Sequence, residues 1–155
     1  MIRFALIVCA TLAAALLATP RPASAADAAQ MEQNKKTVAA FYDAVLNKKD
    51  YDLALTFIGA AGYKQHNPTA KDGVEGMHGF INFLKDKFPN NHSEIKQIFA
   101  DGNYVIVHVH AVRESGTRGN AIIDIFRLDD KGKVVEHWDA VQPIPETAQN
   151  DNTMF

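Results

Sequence analysis

Apolar residues in the first half of the chain recur with a helical period. Val38, Phe41, Tyr42, Val45 and Leu46 fall at i, i+3, i+4, i+7 and i+8, the stripe of an amphipathic helix that stops at Asn47-Lys48-Lys49. Asp50 can cap a shorter second helix carrying Leu53, Phe57 and Ile58 and ending at Gly59. After the turn-rich segment 62–68, Asp72 with Glu75 three residues on announces a third helix. Its buried face is Met77, Phe80, Ile81, Leu84 and Phe88, and Pro89 ends it.

From His92 the period drops to two. Strands are predicted over Glu94–Ala100, Tyr104–Val112, Ala121–Leu128 and Val134–Gln142. Asp101-Gly102-Asn103, Ser115-Gly116-Thr117 and Asp129 to Gly132 punctuate them, so hairpins should join the strands into an antiparallel meander. Helices first and strands afterwards is an α+β order, with three helices packed on one face of a curved, mainly antiparallel sheet of four or more strands. Beyond Pro143 and Pro145 the tail is polar and expected to be loose.

The N-terminus changes the setting. Arg3, the apolar run Phe4–Ala18 and the small residues Ala23-Ser24-Ala25 read as a secretory signal cut after Ala25. A spanning helix needs roughly 20 apolar residues, and this run breaks at Thr19-Pro20. Cys9 follows Val8 inside the run, which does not fit a lipoprotein signal. The expected division is therefore a signal at 1–25, one domain at 26–143 and a tail at 144–155, in a periplasmic or extracellular protein free of the membrane once cleaved.

Cleavage removes Arg3 and Arg21 and no acid, moving the formal charge from -2 to -4. Lysines interleave with acids instead of clustering, so a nucleic-acid partner is not expected. The single cysteine leaves with the signal, which excludes disulfides, thiolate catalysis and cysteine-bound zinc in the mature domain.

Chemistry must then come from His, Asp, Glu, Tyr and hydroxyls. Asp124 lies between Ile123 and Ile125 in an apolar strand, where a carboxylate has to be paired, hydrogen-bonded or protonated. His108 and His110 share one strand face, opposite Val105, Val107, Val109 and Ala111; this is a solvated outer face or a catalytic one. His137 and Asp139 share another face, with Trp138 on its reverse, and an Asp beside a His commonly fixes an imidazole tautomer. His66-Asn67-Pro68 falls in a loop that can lean over a pocket. His78 and His92 read as surface residues. The histidines and aspartates offer metal ligands, but no tight ligand spacing is present, and neither a phosphate loop nor a dinucleotide fingerprint appears; no metal or other cofactor is expected.

Segments 41–50, 66–68, 124–127 and 132–139 together resemble the SnoaL-like polyketide cyclase group of the nuclear transport factor 2-like superfamily, over essentially all of residues 30–143. The resemblance implies a cone in which helices and a bent sheet enclose an apolar pocket, often in a homodimer made through the sheet's outer face. In the related ketosteroid isomerase an Asp-x-Phe-Arg strand supplies a protonated oxyanion donor, and Asp124-Ile125-Phe126-Arg127 matches it. Tyr42 matches that enzyme's oxyanion tyrosine. Asn67 stands where its basic aspartate would be, so the same base is not available. Alignment outward from Asp124 turns His108, His110, His137 and Asp139 into the cone.

The resulting expectation is a cofactor-free enzyme acting through an enolate on a small apolar or aromatic carbonyl compound, by cyclisation or isomerisation. Asp124 would be acid or oxyanion donor, His108 or His66 the base, with Tyr42, Asn67, His110, His137 and Asp139 around the substrate. A non-catalytic binding module and a metal-dependent hydrolase or oxygenase are the alternatives.

Overall fold

The structure, a computed structural model, describes residues 25–155, so the expected signal lies outside the described residues apart from Ala25. Helix α1 (Ala25–Tyr42) carries the predicted stripe into a π-helical turn, Asp43–Asn47. Lys48 N–H donates to the Asp43 carbonyl at 2.8 Å, the wider i to i+5 step of such a turn. Lys49 then takes a left-handed φ of 55°, which ends the helix. Helix α2 (Tyr51–Leu55) starts where expected, with the Asp50 carboxylate accepting from Leu53 N–H at 3.0 Å. It stops earlier than the apolar pattern suggested, because Phe57 and Ile58 turn their backbone to Val134 instead.

Helix α3 (Gly73–Lys87) follows Asp72, and Phe88 and Pro89 end it. Asp72 occupies the N-cap position without closing the predicted capping box. Its carboxylate accepts the backbone N–H of Gln65 at 2.7 Å, which holds its titration below the ordinary range. That bond tethers a two-residue strand, β1 (Lys64–Gln65), that has no periodic signature in the sequence.

The sheet continues through β2 (His92–Asp101), β3 (Tyr104–Val112), β4 (Asn120–Leu128) and β5 (Val134–Pro143), all hairpin-connected as predicted. Its order is β1-β5-β4-β3-β2, with β1 parallel to β5. The fold is thus α+β, with helices against a five-stranded curled mixed sheet. Irregularities at Ile95/Gln97 and Arg127/Leu128 interrupt the β2–β3 and β4–β5 registers, leaving Lys96 and Val135 as the extra residues.

The face of the sheet toward the helices carries Val105, Val107 and Val109, all fully buried, against Val38, Phe41, Ile81 and their neighbours. Opposite strand partners face the same way, so this face also receives Asp124 and Asp139, which pair with Val107 and with each other. Cβ of any residue at Gly119 would lie 2.3 Å from the Ala111 carbonyl oxygen, and its φ of 78° adds to the demand for glycine where β4 begins.

The tail is not loose against this frame. Ile144 N–H donates to the Gly119 carbonyl at 3.0 Å, and the chain folds back so that Phe155 packs on the sheet's outer face.

Ile81 is fully buried on α3, within the core shared by the helices and the sheet. Ile81→Ala is expected to lower unfolding free energy by about 2–5 kcal/mol, read by urea denaturation at constant m. A loss under about 0.5 kcal/mol, the range of a neutral surface change, would show that α3 does not seal the core.

Candidate active site

Asp124 is 4 % exposed and sits among apolar side chains, so each of its oxygens needs a partner. Helix α1 supplies one: Tyr42 O–H donates to Oδ2 at 3.1 Å. Strand β5 supplies the other, because the β4–β5 register sets His137 beside Phe126, one step along the same face, and its Nε2 lies 2.9 Å from Oδ1. The His137 ring is stacked on Phe126 at 4.6 Å and parallel to Tyr63 at 6.3 Å. Its other nitrogen, Nδ1, is 3.0 Å from Gln65 Oε1.

Burial pushes the Asp124 carboxyl up from its ordinary range. Hydrogen bonding and charge at His137 pull the other way, and Asp139 adds to the rise. Burial, then the neighbouring Asp124, likewise raises Tyr42 far above a free phenol. Burial raises Tyr63 as well. Tyr42 and Tyr63 are thus neutral donors at any ordinary pH.

Asp139 lies opposite Asp124 on the same face and is only half-buried. Asn67 Nδ2 donates to both of its oxygens, at 2.7 and 2.8 Å. The amide cannot be the other way round: Asn67 Oδ1 already accepts from Thr69 N–H and Oγ1. One rung further out the face carries Ile122 and Val141, the latter 49 % exposed, so the concave surface opens to solvent on the Asp139 side.

Asp124, His137 and Asp139 bring one ligand-type atom each within 4.8 Å of the others. Asp124 is hydrogen-bonded to Tyr42 and His137, and Asp139 to Asn67. Two cavities involve none of these residues. One, of about 440 Å³, lies by Asn34, Asp101 and Asp129, and one, of about 510 Å³, by Lys49, Tyr51 and His78. The rings of Tyr42, Tyr63 and Phe126, with the His137 imidazole, line the space beside Asp124.

The structure therefore brings together Asp124, Tyr42, His137, Asp139 and Asn67, and it corrects three expectations. His108 and His110 do not enter the cone. The β3–β4 register sets Val107 opposite Asp124 and His108 opposite Ile123, so both imidazoles lie on the outer face, where they meet Phe155 at 5.1 and 4.9 Å. His110 Nε2 is 2.8 Å from the Arg118 carbonyl. His66 is outside too, stacked on Trp138 at 4.6 Å and 2.8 Å from Glu136, whose carboxylate that bond and Arg127 hold below the ordinary range. Finally, His137 is not paired with Asp139; its tautomer partner is Gln65, a residue not singled out in the sequence. No periodic signal marks Gln65 or Tyr63, since both belong to an irregular segment. Trp138 is on the outer face as expected, and His78 and His92 are exposed.

A family model described as a SnoaL-like domain matches residues 38–137. No curated protein matches the sequence. Among solved structures, IdmH, a putative polyketide cyclase from Streptomyces antibioticus, is similar at 24 % identity, with a TM-score of 0.58, over 70 % of this chain and 91 % of that one. A putative polyketide cyclase from Bacillus cereus is similar at 19 % identity and TM-score 0.60, over 70 % and 74 % of the two chains. An LEH-like epoxide hydrolase of M. tuberculosis is similar at 19 % identity and TM-score 0.59, over 73 % and 85 %. At these identities the likeness establishes the fold.

A buried acid whose folded titration lies above its unfolded one stabilises the fold fully only below the unfolded value, about 3.9, and loses that contribution as pH rises through the folded value. Asp124→Asn removes this dependence while its amide can still serve both partners. The stability of the variant relative to the parent is expected to climb as pH rises above about 4, measured by urea unfolding across pH. A flat or falling difference would mean that the fold does not raise the titration of Asp124.

Proposed function

We propose, from the premise that the chain belongs to the SnoaL-like domain family, that it is an exported acid/base enzyme working without a cofactor on a small apolar or aromatic carbonyl compound. The reaction is proton removal next to the carbonyl, giving an enolate that goes on to cyclise or isomerise. The observation that carries this reading is the cross-strand pair of carboxyl groups in unequal surroundings. Asp124 is sealed among rings beside two hydrogen-bonding partners, and Asp139 is open toward solvent and held by Asn67. Two carboxyl groups in contrasting environments can divide the acid and base roles.

In this reading the base is Asp139, replacing His108 and His66, which the fold puts on the far side of the sheet. Substrate enters from the Val141 side. Asp139 takes the proton from the carbon next to the carbonyl, and the C–H electron pair becomes the enolate double bond. Charge moving onto the carbonyl oxygen meets the O–H of Tyr42 and the proton shared by Asp124 and His137. Returning the Asp139 proton to another carbon completes an isomerisation; attack of the enolate on a second carbonyl of the same molecule, with the Asp139 proton passing to the alkoxide so formed, completes a cyclisation. The outer face, with Phe99, Tyr104, Ile106 and Ile123 exposed, supports the expected homodimer.

Deuterium exchange in D2O at the carbon next to the carbonyl, followed by NMR over a panel of aryl and alkyl ketones, reports enolate formation directly. The parent protein is expected to accelerate exchange on at least one compound. Asp139→Asn should slow it by about 10²–10⁴ and Asp124→Asn by about 10²–10³. Exchange unaffected by Asp124→Asn would remove the acid assignment. No exchange on any ketone, together with an apolar ligand that co-purifies, would favour the binding module.

A further inference from the structure

We infer that Gln65 is a positioning residue that keeps the His137 ring proton on Nδ1 and so makes the His137–Asp124 pair retain a transferable proton between Nε2 and Oδ1. The starting point is the side-chain amide of Gln65, whose orientation is fixed from outside the pair. Its Oε1 accepts the backbone N–H of Asn67 at 2.8 Å, so that atom is an oxygen and an acceptor; its Nε2 donates to Tyr63 Oη at 3.3 Å. The backbone N–H of Gln65 is held by Asp72 at 2.7 Å, and the residue sits opposite His137 in the parallel β1–β5 pair. An acceptor so anchored, 3.0 Å from His137 Nδ1, requires a hydrogen on Nδ1.

With Nδ1 protonated, Nε2 faces Asp124 Oδ1 at 2.9 Å and exactly one proton satisfies that contact, bound to either atom. If the pair gave that proton up, a nitrogen lone pair would face a carboxylate oxygen in a site closed to water. The relief available to a free imidazole is to move its hydrogen from Nδ1 to Nε2. That route is blocked here, because it would leave a bare Nδ1 against Gln65 Oε1. The stacked rings of Phe126 and Tyr63 prevent the imidazole from turning away. Gln65 thereby raises the pH at which the pair loses its proton. The other titratable or charged groups around the pair are Tyr42 from α1, Tyr63 before β1 and Asp139 on β5, with Arg113 after β3 acting on Tyr42 through space. None of them contacts Nδ1 among the described hydrogen bonds. The catalytic consequence, an acid kept available to higher pH, rests on the role proposed for Asp124; the tautomer itself does not.

The test needs no substrate. Full-length mature protein labelled with 15N-histidine and 13C-carboxyl aspartate is titrated by NMR, with His137→Gln and Asp124→Asn used to assign the signals. The expected result is a protonated, pyrrole-type Nδ1 on His137 throughout. Gln65→Leu should shift loss of the pair's proton down by about one pH unit, the equivalent of one net hydrogen bond. Gln65→Glu, which keeps an oxygen at the same place, should titrate at or above the parent and shows that the position tolerates change. A bare Nδ1 with hydrogen on Nε2 in the parent, or a Gln65→Leu titration that overlays the parent's, would overturn the inference. An unreactive protein with the stated tautomer would count against the enzymatic reading alone.

Discussion

A carboxyl group closed off from water is the constraint around which this molecule is arranged. Asp124 stands on the strand face that packs against the helices, where a lone charge would cost several kcal/mol. Its two partners come from separate parts of the chain, Tyr42 from the end of α1 and His137 from β5. Closing the helix over the sheet and completing the acid's hydrogen bonds are therefore one event. The π-helical turn that follows Tyr42 directly, and the buried Lys49 with its Nζ on the Asn47 and Pro89 carbonyls, fix the exit of α1 and with it the reach of that phenol.

The hydrogen bonding around the acid is extended by the smallest element of the fold. Strand β1 has only two residues, yet through it the segment 63–67 delivers Tyr63, Gln65 and Asn67 to the edge of β5. Tyr63 flanks the imidazole, Gln65 takes its second nitrogen, and Asn67 binds the carboxylate of Asp139. The Asp72 carboxylate at the start of α3 holds this segment in place, having given up its local capping bond to do so. Inner and outer faces of the sheet divide the histidines accordingly: His137 serves the buried acid, whereas His66 pairs with Glu136 and Trp138, and His108 and His110 support the returning tail.

The sequence by itself determined the main helices and strands and the anomaly. A 3.6-residue period followed by a 2-residue period dictates helices then strands, turn residues dictate hairpins, and an aspartate in an apolar strand dictates a partnered or protonated acid, because these depend only on neighbours along the chain. Alternation says that His108 and His110 share a face but not how β3 aligns with β4, and a shift of one residue reverses every assignment. Only the tertiary structure decided that register, the partners of Asp124 and His137 at separations of 82, 13 and 72 residues, and the two-residue strand, too short to have a period. Contacts of that kind are chosen by how sheet and helices close on each other, and local sequence carries no trace of them.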